Sequence, residues 1–288
     1  MIRGVVLDMD GVLRIGDHAV SEADNFLQEL EKNGIPYMIS TNECRYTSEE
    51  IRDDLAEMNV NLSSDAKIYT SGMAVRDYLA GVLEQRRAER FCIGVLGERG
   101  LFETVNELSC SYPNVRLSKL PCQSENEQLL LVVGTLNKIK MHILERGLKW
   151  LEAKPLIVTT CIDTSDPSSK GDYTLCMPNQ ILYLLKHKNS FGTKSYSLGK
   201  PHPIHAAKIR EYFSGYGISD KEILFIGDSI HTDIQLAEEQ GFQSCLVLTG
   251  NTNRDQISNF IVQPRLVCDT LDQVLTFVTS DAPREICS

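Results

Sequence analysis

The residues most able to do chemistry come first in the chain: Val5-Val6-Leu7-Asp8-Met9-Asp10-Gly11-Val12-Leu13. A β-branched apolar run predicts a buried parallel strand, and two carboxylates one residue apart place charge at its carboxyl end. Gly11 then lets the backbone turn sharply. Such a pair can hold a divalent cation while one acid attacks an electrophile and the other moves protons. Read alone, the same residues also fit a strand end with two solvated aspartates. A calcium loop is disfavoured, because the further ligands it requires are missing.

Three later stretches carry groups of complementary type. Thr41-Asn42 supplies a hydroxyl and an amide after a second apolar run, and the backbone amides that follow are placed to grip phosphate oxygens. Gly199-Lys200-Pro201 supplies a cation. Gly227-Asp228-Ser229-Ile230-His231-Thr232-Asp233 supplies two acids at the start of a helix. Singly, Asp228 reads as a helix cap, Asp233 as a first-turn acid and Lys200 as a surface lysine. Together they provide a nucleophile, a proton donor, a hydroxyl, a cation and metal-binding carboxylates, each at a strand terminus.

The elements that must position these groups follow from periodicity. Ala23 to Lys32 repeats apolar residues at helical spacing and stops at Asn33-Gly34, and Ile35 to Ile39 predicts the next strand. Strand, helix and strand in that order make a βαβ unit, so the sheet is parallel and its strand ends share one crevice. Thr47-Ser48-Glu49-Glu50 is a capping signal for a helix through Met58. Ile68 to Ser71 and Ala74 to Leu83 continue the pattern. Glu84 to Arg90 is a charged stretch read as a solvated linker. A second α/β series then runs from Phe91 to a helix near Asn179 to His187. Ser195 to Leu198 reads as a return to the first series, which closes with strands at Glu222 to Ile226 and Ser244 to Leu248 and a helix after Leu271. The expected architecture is therefore α/β: a Rossmann-like, doubly wound parallel-sheet core over 1–83 and 194–288, with a smaller α/β cap domain, 84–193, inserted into it.

Composition narrows the partners. The 288 residues carry a formal net charge of −10, which argues against general affinity for nucleic acid or an anionic membrane surface. An anionic substrate must then be held by local positive groups against the global field. No apolar run is long enough to span a bilayer, and the first strand begins too early to leave room for a signal peptide. The nine cysteines form no C-x-x-C pair and no zinc spacing, as expected of reduced thiols in a cytoplasmic protein.

The ordered set Asp8-Met9-Asp10-Gly11-Val12, Ser40-Thr41-Asn42, Tyr69-Thr70-Ser71, Gly199-Lys200-Pro201-His202-Pro203, Gly227-Asp228 to Thr232-Asp233-Ile234 and Leu246 to Gly250 resembles the haloacid dehalogenase (HAD) superfamily, in particular its NagD-like phosphatases. The resemblance implies that the middle block is the cap, that Asp8 is the nucleophile and that Asp10 is the general acid and base. It further implies Mg²⁺ between Asp8, the main-chain carbonyl of Asp10 and Asp228, with Thr41 and Lys200 on the phosphoryl oxygens and Asp233 supporting Lys200 or the metal's waters. The implied reaction is hydrolysis of a small phosphorylated metabolite, and relatives pair through their caps. Asn42 and Asp163 complete the expected substrate contacts.

The chain departs from the family around Thr159-Thr160-Cys161-Ile162-Asp163, around Met177-Pro178-Asn179, and at Glu43, where relatives carry a neutral residue. Glu43 is either turned away from an anionic substrate or selects a cationic or hydroxyl-bearing one. Rival readings are a non-catalytic binding or regulatory protein on the same fold and a nucleotide-dependent oxidoreductase. For the latter, Gly94 to Gly100 has the wrong glycine spacing. Gly192-Thr193-Lys194-Ser195 lacks the upstream glycine of a P-loop, and His202 and His205 lack a third metal ligand.

Overall fold

The computed structural model describes residues 1–121, 126–163, 177–186 and 195–279. Residues 164–176, which include most of the divergent loop, 187–194 at the expected cap-to-core boundary, Cys122, Cys176, Cys287 and the expected loose tail lie outside the described residues.

Two parallel sheets account for nearly all the strands. The first has the order β13-β12-β11-β1-β4-β5, built from β1 (Gly4–Leu7), β4 (Tyr37–Thr41), β5 (Lys67–Thr70), β11 (Ile223–Gly227), β12 (Gln243–Val247) and β13 (Leu266–Cys268). The chain leaves β1 toward β4 and β5, then returns to β1's other side with β11. The carboxyl ends of β1, β4 and β11 therefore face the crevice where strand order reverses. Alternation in β1 explains why it sits centrally: Val5 and Leu7 pack against Phe26 and Leu27 of the helix Ala23–Lys32, while Val6 packs on the opposite side with Phe213 and Phe225. Fully buried runs such as Ile223–Gly227 suit a sheet covered on both faces.

The second sheet has the order β10-β9-β8-β6-β7, from β6 (Arg90–Leu96), β7 (Val115–Leu117), β8 (Glu127–Val133), β9 (Leu156–Thr159) and β10 (Ser195–Ser197). One face buries Trp150, Leu151 and Ile181 against Cys92, Leu131 and Val133. A small antiparallel hairpin, β2 (Arg14–Ile15) with β3 (His18–Ala19), follows the first strand.

Several elements differ from expectation. The strand read at Ser195 to Leu198 does not return to the first sheet: β10 pairs with β9 at the edge of the second. Its Ser-Tyr-Ser sequence is largely exposed and lacks the apolar run that a doubly covered sheet demands. The strand expected at Ile35 to Ile39 lies two residues later, because Pro36 cannot donate to the ladder and serves as acceptor for the Val5 amide at 3.1 Å. Thr41 is thereby the last residue of β4. The Thr47 capping box is present, and the helix Ser48–Glu57 follows it. The helix Ser71–Gln85 runs into the charged stretch, which turns through an Arg86–Glu89 ion pair before β6. Before the helix Gln235–Gln240, Ile230–Ile234 forms a π-helical turn, an irregularity frequent at functional sites. No described helix is long and apolar enough to cross a membrane.

Candidate active site

Asp8 follows β1 directly, its amide bonded to Ile226 in β11 at 2.9 Å. Lys200 arrives from the loop after β10 and is 1 % exposed, so its ammonium must be paired within the protein. It lies 2.7 Å from Asp8 Oδ1 and 2.6 Å from Asp233 Oδ1. The other Asp233 oxygen accepts from the Ser229 amide at 3.2 Å, which the π-helical turn presents. Asp228 follows β11, and its Oδ2 accepts from the Asn251 amide at 2.7 Å. Glycine is required around it: a Cβ at Gly11, whose φ is +82°, or at Gly250 would strike the Asp228 carboxylate, and one at Gly227 would strike Asp233.

The electrostatics are unbalanced. Burial pushes the Asp8 carboxyl up to about 7, Asp233 adds to the rise, and Lys200 opposes it. Burial raises Asp228 well above the carboxylate range, with Asp8 and Asp233 contributing, and burial raises Asp233 as well. Burial alone would lower the Lys200 ammonium, but Asp233 and Asp8 outweigh it and hold it above an ordinary lysine.

Oxygens of Asp8, Asp228 and Asp233 lie within 4.8 Å of one another, against one ammonium, and Asp228 Oδ1 is buried without a hydrogen-bond partner. An orphaned buried carboxylate oxygen in a cluster of excess negative charge is what a hard divalent cation with oxygen ligands would satisfy. The residues present therefore fit such an ion.

Asp10, by contrast, turns its Oδ1 to Arg14 Nε at 2.9 Å. Thr41 is buried and lines the cleft with Asp8, Asp10, Lys200 and Asp228. Asn42 is used within the protein. Its Oδ1 accepts from the Lys200 amide at 2.7 Å, and its Nδ2 donates to Asp163 Oδ2 at 2.7 Å. Asn42 and Asp163 thus bolt the first sheet's loops to the loop after β9. Burial lifts the Asp163 carboxyl to about 6 despite the Asn42 bond and Lys200.

The amides after Asn42 correct the expectation that they grip phosphate oxygens. Glu43 N donates to Thr41 Oγ1 at 3.0 Å, and Cys44 N and Arg45 N donate to Glu43 Oε1 at 2.8 and 2.6 Å. Glu43 folds back onto its own loop and saturates it.

Arg14, Arg45, Thr135, Ser229, Thr232 and Asn251 were not anticipated from sequence. All but Arg14 line the cleft, whose empty volume, open solvent included, is about 530 Å³. An arginine four residues after Asp10 is the one local signal available. His205 is fully buried, bonded through Nδ1 to Ser40 Oγ at 2.9 Å and stacked edge-on against Tyr69, and His202 Nδ1 accepts from the Ile204 amide. Gly94 and Gly100 pack against Trp150 and the Tyr46 backbone. Neither pair is arranged for a metal or a dinucleotide.

Comparison with known proteins adds an independent line. A family model described as haloacid dehalogenase-like hydrolase matches residues 5–110, and a HAD-hydrolase-like model matches 197–274. The chain is 22% identical over 276 residues to the 5'-nucleotidase YutF of Bacillus subtilis, covering 96% of this chain and 98% of that protein. It is 22% identical over 273 residues to an acid sugar phosphatase of Staphylococcus aureus, covering 95% and 96%. Among solved structures, the 4-nitrophenylphosphatase of Thermotoga maritima superposes with a TM-score of 0.77 at 22% identity, covering 96% of this chain and 98% of that one. NagD from E. coli K-12 superposes with a TM-score of 0.73 at 22% identity, covering 98% and 99%. The two matched segments take in every strand of the first sheet but the start of β1, and they carry Asp8, Lys200, Asp228 and Asp233 between them; the chain belongs to the haloacid dehalogenase-like hydrolases and shares the fold of NagD.

Proposed function

We propose that the chain hydrolyses small phosphate monoesters through an aspartyl phosphate on Asp8. The observation that carries this reading is the buried Lys200 ammonium bridging Asp8 and Asp233 at 2.7 and 2.6 Å beside the unpartnered Asp228 oxygen. A carboxylate nucleophile, a fixed cation and an unpartnered carboxylate oxygen in one crevice match phosphoryl transfer, which depends on positioning and charge stabilisation. Relatives named as a nucleotidase, a sugar phosphatase and a nitrophenylphosphatase fit the same reaction class.

In this reading Asp8 attacks phosphorus and the P–O bond to the leaving group breaks. Asp10 supplies that oxygen's proton. Asp10 then takes a proton from the attacking water, inorganic phosphate leaves, and Asp8 is regenerated. Lys200 and Thr41 hold phosphoryl oxygens throughout. Asp8, the main-chain carbonyl of Asp10 and Asp228 would hold Mg²⁺, which supplies positive charge that offsets repulsion between carboxylate and phosphate.

The unit built on the second sheet, which extends past the expected boundary at 193 to include β10, acts as the cap. Thr135, Asp163 and Met177 reach the cleft from it, which favours a small phosphorylated metabolite over a polymer. The β10 edge of the second sheet and the exposed Tyr183 and Leu184 support pairing with a second copy. The free described cysteines are consistent with a cytoplasmic setting.

The test is hydrolysis of 4-nitrophenyl phosphate by the purified chain with and without Mg²⁺. The expected result is Mg²⁺-dependent turnover that Asp8→Asn abolishes while the circular dichroism spectrum is unchanged. Near-normal turnover by that variant removes Asp8 as the nucleophile.

A further inference from the structure

Glu43 is an acid beside a crevice built for an anion, and the structure shows how its charge is disposed of. Its side chain is 3% exposed. Arg45 Nη2 lies 2.5 Å from Glu43 Oε2, and Arg14 Nη2 lies 3.8 Å from the same oxygen. Arg45 is the close partner of this buried carboxylate and Arg14 a looser one, so the Glu43 charge is compensated within the protein and directed away from the substrate.

The same arginines lead elsewhere. Arg14, with a side chain 6% exposed, donates from Nε to Asp10 Oδ1 at 2.9 Å and from Nη1 to Asp54 Oδ2 at 2.6 Å. Its backbone is held by the β2–β3 hairpin, and its carbonyl accepts from the Gly11 amide at 2.7 Å. Arg45 donates from Nη1 to Asn137 Oδ1 at 2.9 Å, and the Asn137 amide donates to Glu98 Oε1 at 2.9 Å, both residues of the second-sheet unit. A polar chain thus runs from Asp10 through Arg14, Glu43 and Arg45 to Asn137, hydrogen-bonded throughout except for the 3.8 Å ion contact between Arg14 and Glu43.

We infer that Arg14 is a positioning residue for Asp10, and that Glu43 and Arg45 anchor it to the second-sheet unit. This rests on the proposed phosphatase reaction, in which Asp10 protonates the leaving group. Asp10 sits before a glycine of positive φ, with a side chain 23% exposed, and its Oδ1 is met by Arg14 Nε. A guanidinium is a rigid planar fork, and one whose Nη1 is fixed by Asp54, with Glu43 drawing on Nη2 at ion-pair distance, holds Asp10 Oδ1 in one place. Leaving-group protonation, a step that fails when the acid is misplaced by about an ångström, then depends on the whole chain being in register.

The test compares kcat/KM, which reports phosphoryl transfer to Asp8 and excludes later hydrolysis, for 4-nitrophenyl phosphate and for an alkyl phosphate, whose leaving group needs the proton. For Arg14→Gln in the full chain with Mg²⁺, the alkyl ester should lose roughly 10- to 100-fold and the aryl ester less than about threefold. Arg14→Lys should restore part of the alkyl activity, and Glu43→Gln should show the same selectivity at smaller amplitude. Should Arg14→Gln not fold, Asp54→Asn leaves the Asp10–Arg14 contact in place and is expected to lose the alkyl ester selectively by a few-fold. Equal losses on both esters, or no loss, in a folded variant overturn the inference while leaving the phosphatase reading intact. A wild-type chain that hydrolyses neither ester overturns both.

Discussion

Two halves of the same crevice handle charge in opposite ways. At the carboxyl ends of β1 and β11, Asp8, Asp228 and Asp233 face one ammonium, and an Asp228 oxygen has no partner. On the side facing the second sheet, Glu43 is shared by Arg45 and Arg14, and Asp163 is bonded to Asn42. The first half is left electrostatically incomplete and the second is satisfied internally. Incompleteness marks where an ion and a phosphoryl group are to be received, because each buried uncompensated carboxylate costs folding free energy that binding a cation, or a proton, recovers. Satisfaction marks where loops are being held in register.

The sharpest break of this contrast is Asp8→Asn. It should remove turnover of 4-nitrophenyl phosphate by about 10⁴-fold or more, since the residue forms the covalent bond, while thermal stability stays level or rises as one buried like charge disappears. A parallel loss of folding would place Asp8 among the satisfied groups instead.

Next is removal of divalent cation. Chelation should silence the enzyme reversibly, and added Mg²⁺ should raise the melting temperature of the wild type. Binding at one hundred times Kd contributes about 2.7 kcal/mol, and Asp228→Asn should lose most of that shift. A shift that persists in Asp228→Asn would move the ion out of this cluster.

Asp10→Asn comes third. It should cost esters with poor leaving groups about 10²- to 10⁴-fold and good leaving groups less. A uniform loss across leaving groups of differing pKa would count against its acid role.

The smallest effect probes the satisfied half. Burial lifts Asp163 from 3.8 to about 6, so the folded chain takes up this proton more readily than the unfolded chain. A raised carboxyl pKa means that stability is gained as pH falls through about 6 toward 3.8, and that the charged form is a burden at pH 7. Asp163→Asn should therefore melt at or above the wild type at pH 7. Its advantage should shrink by a few degrees when both are measured near pH 5, a difference read by scanning calorimetry. An advantage that grows on acidification would show that Asn42 and Lys200 more than offset the burial.

Much of this was legible from the chain alone, for a local reason. Apolar periodicity reports strands and helices within a few residues, so the positions of Asp8, Thr41, Lys200, Asp228 and Asp233 at element ends follow from counting. The helices Ala23–Lys32 and Ser48–Glu57 and the capping box at Thr47 are local in the same sense. A family resemblance carried by short motifs shares that property, and the matching segments and the NagD-like fold agree with it.

What required three dimensions was pairing. Whether Glu43 confronts the substrate depends on Arg14, 29 positions earlier, and on an arginine two positions later whose far end reaches Asn137, 92 residues away. Asn42 spends its amide on Lys200 and Asp163, at separations of 158 and 121 residues. The Ser-Tyr-Ser strand joined the second sheet because that sheet offered an exposed edge beside β9. The residue types, their order and their placement at strand ends were written in the chain. Which charges cancel and which are left open to bind was set by the packing, because a hydrogen bond selects its partner by distance and direction across the folded structure, and neither is encoded in separation along the sequence.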